Sequence, residues 1–210
     1  MALRQDGRET RARLLEAACE VFAEKGYAAT KIAEVCRRAK ANVASVNYYF
    51  GSKKNLYIEA WKHAFIIFAG SGISLSKDTP AEQRFSEYIH TIVRGFGERG
   101  VHGQFIRLYL MELVNPTGLV HELWHELIEP KRRVFLEIIS DLLDTDSTDQ
   151  RVLFCELSVV AQCRAILTTT QGDLEYLLGD TLTGELVERL ADHITRFSLA
   201  GIRAMKNQQM

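Results

Sequence analysis

Residues 30–56 read TKIAEVCRRAKANVASVNYYFGSKKNL, and this stretch decides the fold. It holds two short helical patterns separated by a tight break. Thr30 is placed to cap a helix whose apolar residues Ile32, Val35, Cys36 and Ala39 recur every three or four positions. The pattern stops at Lys40-Ala41, and Asn42 is a good N-cap for a second helix running to about Tyr49. That helix is expected to turn Val43 and Val46 inward, leaving Ser45, Asn47, Tyr48 and Tyr49 outward or at its rim. Ser52 caps a third helix with Lys53 and Lys54 in its first turn. Two short helices at a steep angle, the second presenting hydrogen-bonding groups, describe a helix-turn-helix able to enter a DNA major groove.

Upstream, residues 8–25 predict a helix with a buried stripe of Leu14, Leu15, Ala18, Cys19, Val21 and Phe22, ended by Gly26 as a left-handed cap. Downstream, the helix opening at Ser52 carries Leu56, Tyr57, Ala60, Trp61, Ala64, Phe65 and Phe68. It is long enough to leave the head and enter a second domain before Gly70-Ser71-Gly72, where a linker reaches Asp78. Thr79-Pro80-Ala81-Glu82 is a capping box with proline at the first helical position, and it starts a helix to about Arg99. Gly100 and Gly103 bracket a break before a helix over 104–114, which Asn115-Pro116 stops. A further pattern runs from Pro116 to about Leu143, kinked at Pro130. After the polar patch 144–149 come two long helices, about 150–170 and 183–205. Their apolar surface is broader than one stripe requires, as suits helices that pack both on their own core and on a second copy.

Composition agrees with an all-α chain. Three prolines and few turn clusters leave little room for sheet, and 47% hydrophobic residues suffice for a sizeable core. The net charge of −1 is unevenly placed. Residues 1–54 hold 11 Lys and Arg against 6 Asp and Glu, a net +5; the rest hold 15 against 21, a net −6. A basic head on an acidic body suits DNA reading by the head alone. Cys19, Cys36, Cys155 and Cys163 form no CxxC pair, so buried thiols in a reducing cytosol are expected, with Cys155 and Cys163 sharing a helix face. The opening MALRQDGRETR has no apolar core, and the apolar run around 64–69 is far shorter than the ~20 residues a membrane span needs. A cytoplasmic protein is expected.

Residues 26–57, GYAATKIAEVCRRAKANVASVNYYFGSKKNLY, resemble the signature of TetR-family transcriptional regulators. The resemblance rests on Gly26-Tyr27, Thr30, the apolar-periodic helix after it, and Tyr49-Phe50-x-x-Lys53-x-x-Leu56. The remainder is similar to the CecR-like branch through Asn115-Pro116-Thr117, Val120-His121-Glu122 and Glu129-Pro130. The resemblance implies a three-helix DNA-binding domain at 1–54, with its recognition helix at about 42–49. A larger helical effector-binding and dimerisation domain would occupy 55–210, with about nine helices. It implies that Ala44, Ser45, Asn47 and Tyr48 lie against base edges or sugar-phosphate, with Lys53 and Tyr49 on the phosphate backbone. Thr30, Lys31 and Lys40 complete that DNA-binding set, and Arg4, Arg8 and Arg11 are candidates for an arm along the backbone. Asparagine reads adenine bidentately and alanine touches a thymine methyl, whereas a lysine point charge positions without specifying. Two residues depart from the family pattern: Lys40 stands at the turn glycine, and Asn47 replaces the usual tyrosine.

His121-Glu122-Leu123-Trp124-His125 matches the H-E-x-x-H pattern of zinc peptidases, whose histidines share a helix face. The downstream glycine and third histidine of the elongated form are replaced by Ile128 and Lys131, and only Glu129 is near enough to be a third ligand. The pattern is short enough to arise by chance, so no metal or other cofactor is assigned and a zinc hydrolase is the rival from another class. No phosphate loop, nucleophile elbow or paired carboxylates are visible, so the body is expected to bind rather than react. Candidate effector-lining residues are Trp61, Phe65, Phe105, Tyr109, His121, Trp124, His125, Gln162 and Arg164, which would suit a mostly apolar small molecule. The expected whole is a homodimeric repressor, paired through its last two helices and released from a near-palindromic operator by such a ligand. A DNA binder without an effector is the remaining alternative.

Overall fold

Gly26 sets the geometry of everything after it. The first helix, α1 (Ala2–Ala29), is broken there by a φ of 73° and ψ of 174°, a region only glycine enters freely. Thr30 then folds back under the break, its hydroxyl donating to the Gly26 carbonyl at 2.7 Å, and is only 2% exposed. Thr30 therefore does not cap the next helix, contrary to the sequence reading. The cap position of α2 (Ile32–Ala39) falls on Lys31, which makes no side-chain capping bond.

The computed structural model describes residues 2–70, 77–97 and 101–206, and their side chains except those of 2–6, 70, 96, 97, 101, 102, 167 and 168. Most of the expected linker at 71–78, Gly100 and the side chain of Arg4 thus lie outside the described residues. All described elements are helical. After α2 come α3 (Val43–Phe50), α4 (Lys53–Gly70), α5 (Ala81–Gly97), α6 (Val101–Val114) and a short α7 (His121–Leu123). A π turn (Trp124–Ile128), α8 (Glu129–Leu143), α9 (Gln150–Thr168), α10 (Gln171–Leu178) and α11 (Gly184–Lys206) complete the chain. No single helix among the described residues is long and apolar enough to cross a membrane.

The described residues fall into two units. The first takes in the chain up to Gly70 together with the described part of 99–124, so α4 and α6 pack with α1 beside the first three helices. α4, residues 53–70, lies within this unit. The core here is aromatic. Phe22 meets Tyr57 edge-on at 4.9 Å, and Trp61, Phe65 and Phe68 gather around Phe105 at 5.1–5.2 Å.

The second unit has an aliphatic core drawn from α5, α8, α9 and α11, with Ile89, Val93, Ile138, Ile139, Val159 and Ile194 buried in it. Tyr88 stacks flat on Phe135 at 4.1 Å. Buried Arg84 donates to Asp141 at 2.6 Å and to the Thr79 carbonyl at 2.9 Å. All four cysteines are free and buried, and burial pushes the thiols of Cys19 and Cys163 up to about 12.

Several boundaries differ from those read in the sequence. α1 begins well before residue 8, and Gly103 lies inside α6 rather than at a break. Residues 121–143 form one uninterrupted helical run, with a π turn ahead of Pro130. The proline sits at the start of α8 directly after that turn, where the wider turn absorbs the hydrogen bond that proline cannot donate. The segment 171–178, between the helices expected at 150–170 and 183–205, is helix α10, capped by Thr170, whose hydroxyl accepts from the Asp173 amide at 3.2 Å.

Candidate nucleic-acid interface

α2 and α3 meet across a three-residue turn that the sequence dictates. Lys40 adopts the left-handed conformation, φ 52° and ψ 45°, and its own N–H and that of Ala41 return to the Arg37 and Cys36 carbonyls. Arg13 reaches across from α1 to donate to the Ala39 carbonyl at 3.3 Å. Asn42 then caps α3, accepting from the Ser45 amide at 2.8 Å and the Ser45 hydroxyl at 3.0 Å. A lysine in left-handed geometry costs about 1–2 kcal/mol, part of which glycine would return as unfolded-state entropy. Lys40→Gly should therefore raise stability, by less than about 1 kcal/mol, in urea unfolding. A loss of stability would mean that the lysine side chain supports the turn.

Val46 and Phe50, four apart, bury the inner side of α3. Ala44, Asn47 and Tyr48 lie away from that side and are exposed, as is Val43 at the helix start. Val43 is the correction here: it was expected inward but is 48% exposed. An eight-residue helix has barely two turns, and its first residue projects past the helices that bury Val46. Tyr48 is 82% exposed and meets Tyr49 edge-on at 4.9 Å. Ser45 and Tyr49 are half-buried. The Tyr49 hydroxyl lies so close to α1 that a Cβ on Gly7 would sit 3.1 Å from it.

The head's cations divide into two groups. Arg38 is held by Glu20 and Glu24, Lys25 by Glu34, and Arg11 by Glu59 at 2.9 Å and by the Phe50 ring at 5.1 Å. Arg11 is thus committed inside the unit rather than extended as an arm. Arg8, Lys31, Arg37, Lys40 and Lys54 are exposed and form no ion pair among the described residues. Lys53 is intermediate. Its ammonium lies 4.6 Å from the Tyr27 ring centre and donates to the Ala28 carbonyl at 3.4 Å, and burial lowers its pKa. Ser52 caps α4 beside it, accepting from the Asn55 amide at 3.1 Å. A helix N-terminus flanked by two lysines is a ready anion site. Arg37 and Lys54 were missed as members of this set; their signal, a basic residue outside the apolar stripe, was legible.

The expected effector-lining residues are divided between the two units. Trp61, Phe65, Phe105, Tyr109 and Trp124 form one chain of ring contacts in the first unit, ending in Tyr109 stacked on Trp124 at 5.3 Å. Trp61, Phe65 and Phe105 are buried against one another as core. Gln162 and Arg164 belong to α9 in the second unit, where Gln162 donates to the Ser198 hydroxyl at 3.2 Å and so ties α9 to α11. His121 and His125 are both exposed, and His125 lies in the π turn, where the α-helical relation of i to i+4 fails. No group of three or more His, Cys, Asp or Glu among the described residues is placed to hold a metal ion.

Fold and surface together define a two-unit, all-helical protein with a helix-turn-helix near its N-terminus. Residues 14–60 match the profile of bacterial regulatory proteins of the tetR family. Residues 81–202, more than half of the chain, match the C-terminal domain of the HTH-type transcriptional dual regulator CecR. Over 86 residues the chain is 33% identical to the HTH-type transcriptional repressor NicS of Pseudomonas putida, covering 40% of this chain and 41% of that protein. It is 25% identical to the CecR regulator of Shigella flexneri over 170 residues, 76% of each. Its fold is similar to that of a TetR-like transcriptional regulator from Rhodococcus sp. RHA1, with a TM-score of 0.66 at 16% identity over 92% of this chain and 95% of that one. The chain belongs to the TetR family of bacterial regulatory proteins, with a C-terminal domain of the CecR type.

Proposed function

We propose that this protein is a homodimeric, ligand-responsive repressor of transcription in the cytoplasm, acting by binding rather than catalysis. One observation carries the reading: α3 exposes Ala44, Asn47 and Tyr48 on its outer side and Val43 at its start, while Val46 and Phe50 anchor the helix. In a TetR-family head this side enters the major groove. Asn47 pairs with adenine, and Val43 and Ala44 touch thymine methyls. Lys31, Lys40, Lys53, Ser45 and Tyr49 take phosphate and sugar contacts, which fix register without reading sequence. Thr30 contributes through the turn it holds, since its hydroxyl is turned inward. The functional head is residues 1–54, and the remainder binds effector and partner.

Dimerisation is supported by the apolar residues that α9 and α11 leave exposed. Leu153, Phe154 and Leu157 follow helical spacing along α9, and Phe197 stands out from α11, which packs on α9. Two such helices from each copy make a four-helix bundle, placing two recognition helices about 34–36 Å apart over a near-palindromic operator. An effector lowers operator affinity only by its differential affinity for the two head spacings.

Fluorescence anisotropy with DNA from the protein's own upstream region, at two salt concentrations, tests the proposal. Tight, salt-steep binding that survives nonspecific competitor is expected. Asn47→Ala should relax preference at one base position per half-site, with a loss of about 1–3 kcal/mol on the preferred sequence. Selection experiments that return an unaltered preference would remove Asn47 from base reading.

A further inference from the structure

Within the first unit, a groove of about 670 Å³ opens below the helix-turn-helix. Its walls are the last turn of α1 from Lys25 to Ala29, Tyr57, Met111, Val114 and the segment Asn115–Thr117. That volume lies in the range of small-molecule sites. Gly26 stands in this wall at a φ of 73°, a backbone conformation that other residues adopt only under strain. Most of the wall is apolar, so an apolar body fits it.

The charge behind the wall is less ordinary. Glu112 is a buried carboxylate, 9% exposed, that accepts from the Tyr57 hydroxyl at 2.8 Å and from the Thr117 amide and hydroxyl at 2.7 Å each. It makes no ion pair among the described residues. The groups that hold it, Tyr57 and Thr117, themselves line the groove. Three hydrogen bonds satisfy its oxygens but leave a buried negative charge uncompensated, which is costly. α1 and α6 both end at the groove, and helix C-termini add partial negative charge there. Lys25, the cation among the wall residues, is already engaged by both oxygens of Glu34, at 2.7 and 2.9 Å. The Tyr27 ring in this wall already receives one ammonium, that of Lys53 at 4.6 Å, and packs on buried Tyr57 at 5.1 Å.

We infer that this groove binds an organic cation with an apolar body, a protonated or quaternary amine bearing an aryl or alkyl group. The ammonium lies toward Tyr57 and Thr117, opposite the Glu112 carboxylate, and the body lies along Met111 and Val114. The wall at 25–29 leads directly into α2, and two bonds tie the two together, Lys25 to Glu34 and Thr30 to Gly26. A bound cation therefore bears on the placement of the head. That consequence rests on the proposed regulatory reading; binding itself does not.

Titration calorimetry on the full chain tests the inference with benzyltrimethylammonium, neutral benzyl alcohol and anionic phenylacetate. Saturable binding of the ammonium is expected, at least about tenfold tighter than phenylacetate. Glu112→Gln should weaken the ammonium about tenfold and leave benzyl alcohol unchanged. Val114→Lys alters an exposed side chain and sets a rival cation in the groove, so it should abolish ammonium binding without lowering the melting temperature of the free protein. No saturable binding, equal affinity for phenylacetate, or binding unchanged in both variants would overturn the site. Ammonium binding as expected alongside failure of every DNA titration would count against the regulatory reading and leave the site standing.

Discussion

Replacing Phe154 and Leu157 together with aspartate should turn the protein into a monomer and weaken operator binding about a hundredfold or more. Both side chains are exposed, 53% and 64%, so their loss removes little from the fold of one chain. In a two-fold dimer each substitution acts twice, and the four carboxylates it introduces face one another across the bundle. The large effect on DNA comes from avidity. One head holds few phosphates and few bases, and the second head converts a weak contact into a tight one because it is already delivered to its half-site. Light scattering at micromolar concentration reads the mass, and anisotropy reads the affinity. A variant that stays dimeric would show that the exposed stripe of α9 is not the interface. A monomer that retains full affinity would show that a single head suffices.

The parts of this structure that local chemistry determines were legible in the sequence. Asn42 is a cap because its side chain accepts from an amide three residues on, and that requires nothing beyond the segment itself. Lys40 stands where the family resemblance puts the glycine of the turn, and it is left-handed. What failed depended on neighbours distant in sequence. Thr30 precedes a helix and has a capping side chain, yet its hydroxyl found the carbonyl released by the break at Gly26. Val43 fits an inward stripe by spacing, but nothing stands over the first residue of α3 to bury it. Pro130 announced a lost hydrogen bond without saying whether the helix would answer by kinking or by widening into a π turn. The groove was invisible for a similar reason: its walls come from segments some 30 to 90 residues apart, and Glu112 reads as an ordinary surface acid on α6 until Tyr57 and Thr117 close over it. In the same way, an aromatic residue interrupting a stripe can line a cavity or fill a core, and spacing does not distinguish them.

Trp61 tests that last distinction. If it is core, Trp61→Ala should destabilise the first unit by about 3–5 kcal/mol, since a fully buried indole leaves a cavity that its neighbours cannot close. Its partner Phe105 is fixed by three other rings, Phe65, Phe68 and Tyr109, and cannot move far to fill the space. Trp61→Phe should cost much less, below about 1.5 kcal/mol, because the edge-on contact with Phe105 survives in part. The indole N–H is buried and makes no hydrogen bond among the described residues, so phenylalanine forfeits none there. A chain of two units need not unfold in one step, so amide hydrogen exchange in α4 and α6 is the appropriate measurement. The alanine variant should lose about two to four powers of ten in protection there, and the phenylalanine variant at most about one. If protection is unchanged in Trp61→Ala, the indole is not part of the core, and Trp61 returns to the set of residues that line a binding site.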